Sequence, residues 1–342
     1  MGLWFLRRGQ FARSEPYFSK AVATLTERNP NPYDGEPLYN LGMCLFMQGR
    51  YDEAYEAWFK SSWNAAYQDT AYLHLARIAT RKEQFEEALN LINKSLARNY
   101  SNQTARHLKA VILRKLEKNT EALTLLSESL ALDKFNFACL FEEYLHIHDS
   151  GSKPMASAKL DALRHITRGN VHNFVEYSFD YAHAGLYEEA YEFLLLSVSP
   201  ENLVDPMAYY YLAYFASLGN KPSAAAAFYT KAAQAKPDYC FPNRIDDVPV
   251  LQAAIAFNKT DAKAYYYLGN FWYAHSQYHE AVTAWESSRT ADSGFPTVHR
   301  NLALAYHNKQ KDAQKALLSL EKAFVLDTTD ARVLMELDQL YK

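Results

Sequence analysis

Residues 40–62 read NLGMCLFMQGRYDEAYEAWFKSS. Small residues stand at Gly42 and Ala54, and large apolar ones at Leu41, Leu45, Tyr51 and Trp58. Apolar side chains at three- and four-residue steps on both sides of a Gly-Arg turn describe two amphipathic helices. Such a hairpin is either one corner of a globular enzyme or one copy of a repeating unit.

The rest of the chain answers this. The alanine of GRYDEAYEAWFKSS (Ala54) returns as Ala88 in EQFEEALNLINKSL, Ala122 in EKNTEALTLLSESL and Ala190 in GLYEEAYEFLLLSV. The steps are 34, 34 and 68 residues, and Ala156 falls at the midpoint of the long one. Ala225, Ala281 and Ala316 continue the series. Thirteen residues before the alanine stands a large-small pair, as in Leu41-Gly42, Leu75-Ala76, Leu212-Ala213 and Leu268-Gly269. Leu302-Ala303 is one residue out of step with Ala316, which places an insertion in HNKQKDAQK. A fixed period of this length marks stacked helical hairpins. One hairpin buries about six large side chains at about 1.5–3 kcal/mol each. Fixing its backbone costs about 1–2 kcal/mol per residue. A lone unit therefore does not hold, and stacking that buries both faces is required.

This pattern resembles the tetratricopeptide repeat over nearly the whole chain. The resemblance implies an all-α fold, a right-handed superhelical solenoid of helix-turn-helix repeats. Full units are expected at 35–68, 69–102, 103–136, 137–170, 171–204, 206–239, 262–295 and 296–330. Unit 137–170 is degenerate, with Glu143 and Tyr144 where the large-small pair belongs. The domain reading is a partial repeat and linker at 1–34, repeats at 35–239, an irregular single-helix insert at 240–261, and repeats with a capping helix at 262–342. In the insert, CFPNRIDDVPVLQAAIAFNKTD is too short for two helices, and Pro249 suits the first turn of one near 248–257. The opening MGLWFLRR reads as a first helix cut in the middle, so a piece of a longer chain is expected.

Composition narrows the function. The chain has 342 residues, 22% charged, with a formal net charge of −3, which lacks the basic footprint of a nucleic-acid binder. No apolar run reaches the ~18 residues of a membrane span. The opening carries its arginines after a short apolar patch, the reverse of a secretory signal. The three cysteines, Cys44, Cys139 and Cys240, form no CxxC pair, and a cytoplasmic location is expected. There is no HExxH, phosphate-cradling loop or GxSxG elbow, so no catalytic residue, metal ligand or cofactor is assigned. His146 and His148 lie two apart, which puts them on different helix faces. Acidic pairs such as Glu86-Glu87 sit at helix starts, where they favour the dipole.

Two segments resemble a large bacterial family of unknown function: RRGQFARSEPYFSKAVATLTERNPNPYDGEPLYNLG, and YYYLGNFWYAHSQYHEAVTAWESSRTADSGFPTVHRNLALAYHNK. So does the ending LEKAFVLDTTDARVLMELDQLY. In that family a β-rich region similar to aldose-epimerase sandwiches precedes the repeats, and any sugar chemistry would belong to it.

The tetratricopeptide resemblance also implies which side chains line the concave face. These are Tyr39, Asn40, Met43 and Phe46; His74, Arg77 and Arg81; and His107, Arg114 and Lys115. Later units add Tyr210, Tyr214, Tyr266, Tyr267, Asn270, Tyr273, Arg300, Asn301 and His307. Arg77, Arg81, Arg114 and Lys115 form a basic stretch suited to carboxylates, or are merely solvated. Asn40 and Asn301 occupy the position where relatives hold a peptide backbone, although His74, Leu108 and Glu176 interrupt the series. Tyr39 and Tyr266 stand where a carboxylate clamp needs lysine, which disfavours a receptor for chaperone tails. The expectation is a non-enzymatic scaffold for a protein or peptide, including its own missing N-terminal region, with repeat ends open to a second copy. The competing reading is a sugar-binding accessory region with a tyrosine-rich groove.

Overall fold

The computed structural model describes residues 1–30, 32–198, 205–238 and 240–342. Asn31 of the expected linker, the 199–204 tail of unit 171–204 and Tyr239 of unit 206–239 lie outside them. Among the described residues the chain is all-α, with no strand.

The helices run as consecutive antiparallel pairs. They are α1 (Gly2–Leu6) with α2 (Phe11–Thr26), α3 (Glu36–Met47) with α4 (Tyr51–Ser61), α5 (Gln68–Arg81) with α6 (Phe85–Arg98), and α7 (Gln103–Lys115) with α8 (Asn119–Leu132). Then come α9 (Phe137–Asp149) with α10 (Lys153–Thr167), α11 (His172–His183) with α12 (Tyr187–Leu195), and α13 (Pro206–Leu218) with α14 (Pro222–Gln234). A single helix, α15 (Asp247–Phe257), follows. The last are α16 (Ala262–Ala274) with α17 (Tyr278–Ala291), α18 (Pro296–Ala305) with α19 (Ala313–Leu326), and α20 (Ala331–Tyr341).

Each turn between paired helices ends the first helix in the same way. A left-handed residue recurs every 34 positions, at Gly49, Glu83, Glu117, Gly151 and Gly185. It recurs again at Asn220, Ser276 and Lys311. The next N–H closes a six-to-one bond in most of these turns: Arg50 to Leu45 O, Gln84 to Ala79 O, Lys118 to Leu113 O and Leu186 to Tyr181 O, all within 2.9–3.0 Å. That is a Schellman stop, which satisfies carbonyls the helix end leaves open. The second helix is pinned back by a buried serine twenty-six residues after its acceptor. Ser95 donates to Asp69 O at 2.7 Å and Ser288 to Ala262 O at 2.6 Å.

The tiny residues do what close nesting requires. Ala54, Ala88, Ala122, Ala190, Ala281 and Ala316 are wholly buried. At Gly42 an added Cβ would stand 2.5 Å from Trp58 Nε1, and at Gly269 2.3 Å from Trp285 Cδ1. Each indole fills the space the missing methyl leaves. Each also donates to the same backbone site, Trp58 to Tyr39 O (3.1 Å) and Trp285 to Tyr266 O (3.2 Å).

The irregularity near the last repeat lies where the sequence places it, in HNKQKDAQK, but begins as helix and not as loop. Nine residues separate Leu302 from left-handed Lys311, where eight separate Leu41 from Gly49. The extra residue sits in one π-helical turn, Tyr306–Gln310, rather than in the loop beyond it. A π turn absorbs a single insertion while the stop at Lys311 and the position of Ala316 are kept.

The chain divides into two compact units. Unit 1 comprises Met1–Ala208 and Phe215–Ala225; unit 2 comprises Tyr209–Tyr214 and Ala226–Lys342. In unit 1, α11 packs not only on α12 but also on α5, α7 and α9. In unit 2, α15 packs on α16, and α20 closes over α19 through Val333 and Leu337. No helix among the described residues is long and apolar enough to cross a membrane.

Candidate functional site

The inward side chains behave differently in the two units. In unit 1 the expected basic stretch is not open. Arg77 is bound to Asp180 of α11. Arg81 donates to the carbonyls of Ala182 (2.8 Å) and His183 (3.1 Å) and to the Tyr187 hydroxyl, and its guanidinium lies 4.1 Å over the Tyr51 ring. Arg114 donates to Glu142 (2.8 and 3.2 Å) and to Glu189 (3.2 Å), and Lys115 meets Glu189 at 2.6 Å. Tyr181 donates to Glu142 at 2.7 Å. Burial would raise the Glu189 carboxyl, but Lys115 and Arg114 together hold it below the usual carboxylate range. The reason is local. Gly185, at φ +80°, would carry a Cβ only 2.9 Å from Arg81 Cα, so the α11–α12 turn seats directly on α5. The chain supplies its own carboxylates to this face.

The other unit 1 candidates are also spent internally. Asn40 is buried and donates to Glu36 O in its own helix at 2.9 Å. His74 stacks on Trp58 at 4.3 Å and is hydrogen bonded to the Tyr39 hydroxyl at 3.1 Å. Burial, helped by Arg77, drives its pKa well down, so it is neutral. His107 is buried edge-on to Tyr181 at 4.6 Å. Met43 is half-buried, and Phe46 is buried beside Trp58. His146 is buried while His148 is exposed beside Asp149.

Unit 2 keeps an open groove. About 640 Å³ in volume, it is bounded by α16, α17 and α18, by Arg332 of α20, and by the four non-helical residues Pro237, Asp238, Cys240 and Phe241. Five sequence candidates line it: Tyr266, Asn270, Tyr273, Arg300 and Asn301. The amides are locked in register. Trp285 Nε1 donates to Asn270 Oδ1 at 3.1 Å and Asn301 Nδ2 to the same oxygen at 3.0 Å. Burial raises the Tyr266 hydroxyl, and hydrogen bonds from Asn270 and Asn301 oppose that rise. Arg300 is held in a two-pronged pair by Glu336, and Arg332 by Asp330. Tyr273 leans on Trp285 at 5.2 Å.

Four candidates stand elsewhere. Tyr210 is wholly buried, its hydroxyl 2.9 and 3.1 Å from the Asp261 carboxylate, and Tyr267 is wholly buried against it. Tyr214 is half-buried, and His307 is exposed beside Asn308 in the π turn. The sequence reading missed Glu142, Asp180 and Glu189 in unit 1. Acidic residues on inward helix positions opposite an arginine-rich set would have been the signal. It also missed Phe241, which lies outside any repeat and has no phase to read.

Solved structures similar to this chain include the APC/C hetero-tetramer Cut9–Hcn1, at 16% identity and a TM-score of 0.34. That match covers 97% of this chain, which spans 59% of the length of the other. A tetratricopeptide repeat protein from Parabacteroides merdae matches at 16% and 0.37, covering 79% of this chain and 98% of that one. YrrB, a tetratricopeptide repeat protein with an unusual peptide-binding site, matches at 16% and 0.27, covering 72% and 97%. The family model of the tetratricopeptide repeat matches residues 1–66 and 73–137. Residues 1–66 and 73–137 thus match the tetratricopeptide repeat, and the helix pairs beyond them are nested on small residues and stopped at the same left-handed position.

Proposed function

We propose that the chain is a non-enzymatic scaffold that holds an extended peptide in the unit 2 groove. The observation that carries this is the locked set of Tyr266, Asn270 and Asn301 on the groove floor. Asn270 Oδ1 already accepts from Trp285 and Asn301, so the pair offers a peptide bond the Asn270 N–H and the Asn301 carbonyl oxygen, fixed in place at little ordering cost on binding. The unit 1 face is a poor alternative, because a ligand there must displace buried ion pairs that the chain already satisfies. The sugar-binding reading needs exposed tyrosine faces. Tyr210 and Tyr267 have no exposed surface and Tyr266 only 7%, which favours the peptide.

The test is selection from a displayed library of random eight-residue peptides on the full chain, followed by titration of the winning peptide. Asn301→Leu keeps the volume and removes the amide, so it is expected to weaken binding at least tenfold. Peptides that bind equally well to Asn301→Leu would refute the assignment of this groove.

A further inference from the structure

In unit 1, α4 and the turn after it carry a row of rings that the fold does not use. Tyr55 and Phe59 are stacked with centroids 6.5 Å apart, and Phe59 meets Trp63 edge-on at 5.9 Å. Phe59 is 43% exposed and Trp63 51%. The repeat does not call for them. One and two periods on, Asn93 and Ser127 stand where Phe59 does, and Ala97 and Ala131 where Trp63 does. Steps of four residues bring the three rings onto one face. Exposed aromatic surface that neighbouring copies lack marks a contact with something outside the chain.

The charges say what that contact carries. Tyr55 also lines a trough between α4 and α6, with Asp52, Glu53, Glu56, Glu87 and Lys82 around it. Lys82 pairs with Asp52 at 2.6 Å and Arg50 with Glu53 at 2.6 Å, while Glu87 accepts from the Tyr55 hydroxyl at 2.7 Å. Glu87 stands in the first turn of α6, where the helix dipole favours it. Glu56 lies in the middle of α4 without that support, and among the described residues neither it nor Lys60 forms an ion pair. The chain itself shows how a cation is held here, because the Lys82 Nζ that meets Asp52 also lies 5.8 Å over the Tyr55 ring. Phe59 follows Glu56 by three residues and so adjoins it on the helix surface, which sets a second ring beside a second carboxylate. Arginine suits such a pair better than lysine. Its flat guanidinium stacks on a ring and binds a carboxylate through two N–H groups.

We infer that the Tyr55–Phe59–Trp63 row, with Glu56, docks a basic, arginine-bearing segment of a partner protein. This surface shares no residue with the unit 2 groove, and it stands or falls separately from the peptide reading given above.

The experiment begins with a library of random eight-residue peptides, depleted on the full chain carrying Phe59→Ser and Trp63→Ser. Depletion removes binders of every other surface, and the remainder is selected on the wild-type full chain. Both rings are exposed, so the double variant is expected to keep the wild-type melting temperature, which circular dichroism verifies. The selected pool is expected to enrich arginine. Its winner should bind at least tenfold more weakly to the double variant and at least threefold more weakly to Glu56→Gln, which removes one charge from an exposed position. Asn301→Leu should bind it as the wild type does. A depleted pool with no enrichment, a pool enriched in acidic or purely apolar residues, or a winner indifferent to Glu56→Gln overturns the inference. A wild-type chain that sediments as a dimer beside a monomeric double variant also overturns it, because the occupant of the row is then a second copy.

Discussion

Gly269→Ala sets two known effects against each other. Glycine inside α16 costs about 1 kcal/mol relative to alanine, so propensity alone makes the substitution stabilising. The added methyl would stand 2.3 Å from Trp285 Cδ1 and 2.4 Å from Nε1, more than 1 Å inside ordinary contact at about 3.5–4 Å. The indole is 3% exposed and cannot swing to solvent, so it must be forced aside. Overpacking of this kind costs about 1–3 kcal/mol. A displaced indole also weakens its bonds to Tyr266 O and Asn270 Oδ1, about 1 kcal/mol each. The sum favours the clash, with a net loss of about 2–4 kcal/mol. Urea unfolding followed by far-ultraviolet circular dichroism reads this as a lower midpoint for the transition carrying unit 2. Gly269→Ala in a Trp285→Leu background removes the obstacle, and the cycle should show coupling of at least about 1 kcal/mol. A stability gain of about 1 kcal/mol in the single variant would refute the reasoning, because propensity would then be acting unopposed.

Two further outcomes follow from buried charge. Glu142→Ala leaves Arg114 buried beside a vacated partner and Tyr181 without its acceptor; a loss of about 3–5 kcal/mol is expected in urea unfolding, and a loss below about 1 kcal/mol contradicts the unit 1 network. Burial, opposed by bonds from the Tyr211 hydroxyl and the Arg244 amide, raises the Asp247 carboxyl to about 6. The native state therefore holds that proton more tightly than the unfolded chain, whose value is about 3.9. From this group, stability is greatest below about pH 4, falls by up to ~1.4 kcal/mol per pH unit towards about pH 6, and is flat above. Buried His74 and His107, with pKa values held down, act in the opposite sense, losing stability as pH falls through their unfolded value. The readout is thus wild type minus Asp247→Asn, whose difference should slope only between about pH 4 and 6; parallel curves would contradict it.

The repeat was legible because its signal is local. The spacing of Leu41-Gly42 and Ala54 reflects two helices touching at one point, and the same contact recurs with Leu268-Gly269 and Ala281. The resemblance, rather than the spacing, picked out Tyr266, Asn270 and Asn301, which line the unit 2 groove. What meets an inward residue was not legible. Arg77 and Asp180 are 103 residues apart, and their pairing depends on how several stacked hairpins bring α11 back onto α5. Small inter-repeat rotations accumulate along a stack, and no single unit encodes the sum. The charge of Arg77, Arg81, Arg114 and Lys115 therefore read as a face for carboxylates or a merely solvated one, and the groups of this chain that meet it were not visible in the spacing. Phe241 escaped because the insert obeys no period.

The claim on which the account rests is that ligand meets the unit 2 groove and not the sealed face of unit 1. Amide hydrogen exchange of the full chain with and without the selected peptide measures this directly. Slowed exchange is expected in α16 around Tyr266–Tyr273, in α18 and in the wall around Phe241, with α5 and α7 unchanged. Slowed exchange centred on Arg77–Arg81 and Arg114–Lys115, with the unit 2 groove unaffected, would contradict it.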